Sequence, residues 1–212
     1  LLSIANLGHG VNVSAITNAE TGASRQPQPA PRRLLAAAIE AFAERGYQAT
    51  TTRDIASRAG MSPAALYVHY PSKERLLYEI SRSGHVDVLE VLHAVPGGRP
   101  SERLRHMVEA FTTWHAEHHT IARVVQYELA ALSADHLADI AAVRRDITAA
   151  FEDVLTAGLA DGSFEIADLS GSALALMSLS IDVARWFSDG RRLSPADLGR
   201  LYGDLALRMV KA

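Results

Sequence analysis

The chain has 212 residues, 48% hydrophobic and 21% charged, the composition of a globular protein with one or two domains. No apolar run reaches the roughly 18 residues of a membrane span, and the absence of cysteine excludes disulfides and thiol catalysis and makes the cytoplasm the expected compartment. The net charge of −3 is unevenly spread: residues 31–79 hold seven Lys/Arg against five Asp/Glu, and residues 80–212 hold thirteen against eighteen, so a polyanion would be directed to one end only.

Residues 1–30 show no sustained period, and their "QPQPAP" end cannot continue a helix. They are read as a flexible arm, without the basic start and apolar block of a signal peptide. Either this arm has no role, or Arg25, Arg32 and Arg33 lie along DNA phosphates or in a minor groove.

From Arg32 on, the pattern is helical. Leu35, Ala38, Ile39 and Phe42 recur at helical spacing until Gly46. Thr51 is an N-cap, and Asp54 three residues later makes a capping-box-like pair. Ile55 and Ala56 face inward, and Gly60 ends this helix. Ser62 caps the next, with Pro63 in its first turn, where a missing N–H costs nothing. Leu66 and Tyr70, four apart, form its buried face; Pro71 ends it, and Ser72 caps a longer helix from Lys73 to about His93. Beyond the break "PGGRPS" (Pro96 to Ser101), helices are expected at about 101–118, 121–132, 134–160, 168–188 and 194–210, with turns at Asp161-Gly162 and Asp189-Gly190. The reading is an all-α chain without strands or internal repeats. It divides into an arm (1–30), a helix-turn-helix head (31–78) and a body (79–212).

The order "ERGYQATTTRDIASRAGMSPAALYVHYPSKERLL" resembles the TetR family of transcriptional regulators over about 45 residues, from Leu34 to about Leu77. The resemblance rests on the Gly46-Tyr47 step, Thr51, Asp54-Ile55-Ala56, Ala59-Gly60-Met61-Ser62, Leu66-Tyr67, His69-Tyr70 and Ser72-Lys73-Glu74. It implies that the second short helix lies in the major groove. That helix has no Arg, Asn or Gln; the face left for DNA is Ser62, Pro63, Ala64, Ala65, Tyr67, Val68 and His69. Small apolar side chains contact thymine methyls, and Ser62 suits a base edge or a phosphate. By the resemblance, Tyr67, His69 and Lys73 occupy phosphate-bonding positions, and Thr51, Thr52 and Arg53 open a helix whose free N–H groups favour another phosphate. Specificity would then come largely from methyl contacts and DNA shape.

For the rest of the chain the resemblance implies a ligand-binding and dimerisation body whose last two helices pair with their copies. "LSGSALALMSLSIDVARWF" is apolar nearly all round, and Leu198, Leu201, Tyr202, Leu205 and Met209 fall on one stripe. Phe111, Trp114, Tyr127, Phe151, Met177 and Trp186 are candidate pocket residues, with Arg185, three residues after Asp182, as a polar anchor. The segment from "DGSF" to "LALRM" also resembles acyl-CoA-responsive TetR regulators, which implies a small hydrophobic effector with a polar or anionic end. The expected partners are a double-stranded, pseudo-palindromic operator, the effector and a second copy, with no cofactor and no membrane. The alternative is a metal-responsive regulator using His115, His118 and His119 in "HAEHH", whose spacing lets helical histidines share a metal; the plainer reading leaves them solvated. No GxSxG, Walker loop, GxGxxG or HExxH is present, so an enzyme is not expected.

Overall fold

A computed structural model of the chain describes residues 28–190 and 192–211. Among them the regular elements are nine α-helices and one 3₁₀ turn: α1 (Ala30–Ala49), α2 (Thr52–Arg58), α3 (Pro63–His69), α4 (Lys73–His93), α5 (Pro100–Glu117), α6 (His119–Glu128), the turn Leu129–Ala131, α7 (Ala134–Ala160), α8 (Leu169–Trp186) and α9 (Pro195–Val210). None is long and apolar enough to cross a membrane. The N-terminal arm expected over 1–30, with Arg25, lies almost wholly outside the described residues.

The helices gather into two compact units. The first comprises residues 28–87 with Val124–Ala138; the second comprises Val88–Arg123 with residues 139–211. The second segment of the first unit comes from the middle of the sequence.

In the first unit, Leu34, Leu35, Phe42, Ile55, Leu66, Leu76 and Leu77 are at most 2% exposed. Burying such a side chain stabilises the fold by about 1.5–3 kcal/mol each. Gly46, at φ +77°, breaks α1 one turn before its end, which detaches the N–H of Tyr47 from the helical ladder. The capping box at Thr51 and Asp54 is present in both directions. Gly60, at φ +66°, makes the turn between α2 and α3, and Ser62 caps α3 by accepting the N–H of Ala65 at 3.1 Å.

In the second unit, α5 is packed by α8 and, most extensively, by α9. The α5–α9 approach depends on two glycines. A Cβ at Gly199 would lie 2.2 Å from Thr113 Oγ1 and 2.7 Å from the carbonyl oxygen of Glu109; one at Gly203 would lie 2.8 Å from the carbonyl oxygen of Arg105. A buried polar relay joins α5 to α8: Thr112 Oγ1 donates to Ser180 Oγ at 3.0 Å, which donates to the Leu176 carbonyl at 3.0 Å. The expected α9 stripe divides. Leu198 is buried, Tyr202 half-buried, and Leu201, Leu205 and Met209 exposed. Nor is α8 covered all round, since Leu174 and Leu179 are exposed.

Candidate nucleic-acid interface and effector residues

Leu66 and Tyr70 are buried, as their spacing predicts, and this fixes which face of α3 is turned outward. Ser62, Pro63, Ala64, Tyr67, Val68 and His69 are exposed and Ala65 is partly so. Tyr67 and Val68 are 52% and 79% exposed, large apolar surfaces left open on a seven-residue helix. The Tyr67 phenol lies 3.1 Å from the Thr52 hydroxyl, so α2 and α3 present two hydroxyls at one point of the surface. Thr51 differs: its hydroxyl accepts from the Asp54 N–H at 3.1 Å and donates to the Asp54 carboxylate at 2.7 Å. These bonds from Thr51, with Arg45 at 3.6 Å, hold the Asp54 carboxyl below its ordinary range.

The cations of this unit are mostly engaged internally. Arg58 pairs with Glu40 and Glu44, Arg45 with Asp54 and Arg75 with Glu79. Arg33 donates to the Ala59 carbonyl. Lys73, expected at a phosphate, places its ammonium on the carbonyls of Tyr47 (2.7 Å) and Thr50 (2.8 Å) and 4.1 Å from the centre of the Tyr47 ring. Burial lowers its pKa, against a smaller opposing effect of Glu128. Arg32 and Arg53 have no ion pair or side-chain hydrogen bond among the described residues. Arg53, exposed in the first turn of α2, is therefore the cation left open beside Thr52.

Thr50 and Glu128 carry this arrangement and were not singled out from the sequence. Thr50 is 1% exposed and its hydroxyl lies 3.0 Å from the Ala41 carbonyl and 2.8 Å from that of Gly46. Glu128 accepts the N–H of Tyr47 at 3.0 Å, the donor that Gly46 detaches from the helix. The detached donor was a signal; the acceptor's place 81 residues along the chain was not. A second tie in the same unit joins Glu74 to Ser133 N–H (3.0 Å) and His136 Nδ1 (2.6 Å), with the His136 ring stacked 3.8 Å from that of Tyr78.

The candidate effector residues separate. Phe111, Trp114, Phe151 and Met177 share one core cluster of the second unit. Trp186 packs on a second cluster containing Val183, Phe187 and Leu198. Tyr127 belongs to the first unit and is 60% exposed. Arg185, the expected polar anchor, forms a bidentate pair with Asp182 (2.7 and 2.9 Å), both side chains more than 40% exposed. The Arg185 hydrogen bonds hold the Asp182 carboxyl below its ordinary range.

The geometry does not support the metal alternative. His115, His118 and His119 place Nδ1 2.7 Å, 3.0 Å and 2.9 Å from the carbonyls of Phe111, Trp114 and Ala116. Their rings pack on Phe111, Trp114 and Phe187 respectively. No three His, Asp or Glu gather to hold an ion among the described residues. The solvated reading fails as well, because His115 and His118 are 7% and 6% exposed.

The geometry agrees with what the chain is similar to. Residues 34–80 match the family model "Bacterial regulatory proteins, tetR family", and residues 97–210 match "Tetracyclin repressor-like, C-terminal domain". The HTH-type transcriptional repressor KstR2 of Mycolicibacterium smegmatis is 33% identical over 187 residues, 82% of this chain and 88% of the relative. A bacterial regulatory protein of the TetR family from Rhodococcus RHA1 has a crystal structure that superposes with a TM-score of 0.82 at 46% identity, covering 88% of this chain and 99% of that one. The ketosteroid transcriptional regulator KstR2 of Mycobacterium tuberculosis gives 0.80 at 27% identity, covering 88% and 97%.

Proposed function

The chain belongs to the TetR family of transcriptional regulators, and on that premise we propose that it is a homodimeric repressor released from a pseudo-palindromic operator by a small hydrophobic ligand. The observation that carries the DNA reading is the open face of α3 beside the Thr52–Tyr67 hydroxyl pair. Tyr67, Thr52, His69 and Arg53 hold phosphates; Pro63, Ala64, Ala65 and Val68 lie against base edges and methyls, with Ser62 within reach of either. Thr51 and Lys73 serve the site by holding α2 and the α1 end in place, through the capping box and the carbonyls of Tyr47 and Thr50.

The dimer forms through α8 and α9. Leu174, Leu179, Leu201, Leu205 and Met209 are between 40% and 62% exposed, and two helices with an uncovered apolar face call for a partner. The effector occupies the second unit, with Trp114, Phe111, Phe151 and Met177 as its apolar surroundings. A fatty-acyl or sterol-derived thioester is the favoured class, supported by the ketosteroid regulator among the similar structures. Release requires that the ligand bind the DNA-free shape more tightly than the DNA-bound one. The cytoplasm is the compartment in which such a regulator meets DNA.

The test is DNA binding to the chain's own promoter region by fluorescence anisotropy, with acyl-CoAs, sterol-derived thioesters, free acids and zinc added in parallel. Retention on promoter DNA and release by an acyl or sterol thioester at micromolar concentration support the reading. Release by zinc alone, or by none of the organic ligands, removes the effector assignment.

A further inference from the structure

Trp114 and His118 lie one helical turn apart, in α5 and at its C-terminal end, each 6% exposed, with rings stacked 4.7 Å apart at an interplanar angle of 19°. Each carries a buried polar atom with no hydrogen-bond partner: Nε1 of the indole and Nε2 of the imidazole. Buried polar atoms are almost always paired, so two orphans on one ring stack need an explanation. From these orphans we infer that Trp114 and His118 are the polar anchor of the effector site and take a hydroxyl group carried on an apolar ligand, an inference that rests on the effector reading above.

The chemistry follows from the proton positions. His118 Nδ1 lies 3.0 Å from the carbonyl oxygen of Trp114, and a carbonyl can only accept. Nδ1 therefore holds a hydrogen, and the tautomer that this bond selects presents Nε2 as an acceptor. The indole Nε1–H can only donate. One ring offers a donor and the other an acceptor. A hydroxyl combines the acceptor that suits Trp114 with the donor that suits His118. A keto or carboxylate oxygen would satisfy Trp114 and leave Nε2 unpaired; an ammonium would do the reverse. The part of the ligand around that hydroxyl is apolar, because Trp114 belongs to the cluster of Phe111, Phe151 and Met177. His115 does not compete for the same group through Nδ1, which is bonded to the Phe111 carbonyl.

The experiment measures affinities of the full chain by calorimetry for ligands that differ by one hydroxyl. The probes are lithocholic acid against 5β-cholanic acid, and 3-hydroxydodecanoyl-CoA against dodecanoyl-CoA and 3-oxododecanoyl-CoA. In at least one set the hydroxyl member is expected to bind at least about tenfold more tightly than every other member of that set, because a site with polar groups placed for a hydroxyl rejects the analogue that leaves them unpaired. His118→Phe and Trp114→Phe each keep a ring and remove one polar atom; in each, that ratio is expected to fall to about one. If either variant does not fold, the other carries the test, and continued binding of the deoxy ligand reports an intact site. Equal binding of hydroxy and deoxy ligands by the unmodified chain would assign the orphan atoms to a bound water only and overturn the inference while leaving the effector reading standing. A hydroxyl preference that survives both substitutions would overturn it too. If no member of either set binds, the effector reading itself falls and the hydroxyl anchor with it.

Discussion

The phenolic oxygen of Tyr67 in α3 lies 3.1 Å from the hydroxyl of Thr52 in α2, at the surface and fifteen residues apart in sequence. The pair joins the two helices at the surface proposed to meet a phosphate. Removing either hydroxyl, by Tyr67→Phe or Thr52→Val, is expected to lower operator affinity about tenfold, the cost of one charge-assisted hydrogen bond. The double variant is expected to cost less than the sum, because both groups serve one phosphate. Thermal melting is expected to change little, since both side chains lie at the surface. Anisotropy titrations of the four proteins measure the coupling; strictly additive losses would assign the hydroxyls to separate contacts.

Arg53 and Lys73 are expected to separate in salt dependence. Arg53 is exposed without an internal partner, so Arg53→Ala should reduce the log–log salt slope of DNA binding by about 0.9, the value for one phosphate. The Lys73 ammonium is held by two backbone carbonyls. Lys73→Met should leave the slope unchanged and destabilise the fold by about 1–3 kcal/mol, because both carbonyls lose their donor. Salt titrations and thermal melts of both variants check this; a flattened slope in Lys73→Met would return that lysine to the phosphates.

Glu74 gives an acid-dependent contribution. Burial raises its pKa, but the Ser133 N–H and the His136 ring together outweigh burial and hold it below the ordinary carboxylate value. A depressed carboxyl stabilises the fold above its unfolded pKa, about 4.3, and that stability is lost as pH falls through the lower folded value. Glu74→Gln is therefore expected to melt lower than the unmodified chain at pH 6–7 and to converge with it at the acid end. Parallel melting curves across pH would contradict the assignment.

Gly203 faces the α5 backbone, and a Cβ there would meet the Arg105 carbonyl oxygen at 2.8 Å. Backbone cannot swing aside as a side chain can, so Gly203→Val should push α9 from α5 and cost about 1–3 kcal/mol, several degrees in melting temperature. Calorimetric melting of the variant checks it; an unchanged melting temperature would mean that the two helices tolerate a wider spacing.

Much of the first unit was legible because its signals are local. Thr51 with Asp54, Ser62 with Pro63, and Leu66 with Tyr70 each act within about one helical turn, and each is found as the sequence reads. The internal acceptors of Lys73 are not legible in the sequence, because the Tyr47 and Thr50 carbonyls come within its reach only where Gly46 breaks α1. The α9 stripe was read as one face because hydrophobicity does not distinguish a side that packs through glycine from one left open; Gly199 and Gly203 at four-residue spacing were the available sign. The histidines of "HAEHH" looked polar, yet each satisfies Nδ1 on a carbonyl three or four residues back, which lets the ring enter the core. Periodicity names the residues that can be buried but does not distinguish a core aromatic from a pocket wall, so Phe111 and Trp114 could be grouped but not assigned.

The central claim is that two copies of this chain, joined through α8 and α9, hold one pseudo-palindromic operator. Light scattering of the chain with and without its promoter DNA, beside the Leu201→Glu, Leu205→Glu double variant, tests it most directly. Both leucines are exposed in the single chain, at 45% and 40%, so glutamate there leaves the protomer intact and places charge in the seam. The account expects a dimer for the unmodified chain, an even number of copies on each operator, and a folded monomer that no longer binds the operator for the double variant. A monomeric unmodified chain at micromolar concentration, or a double variant that still dimerises and binds as well as the unmodified chain, would contradict it.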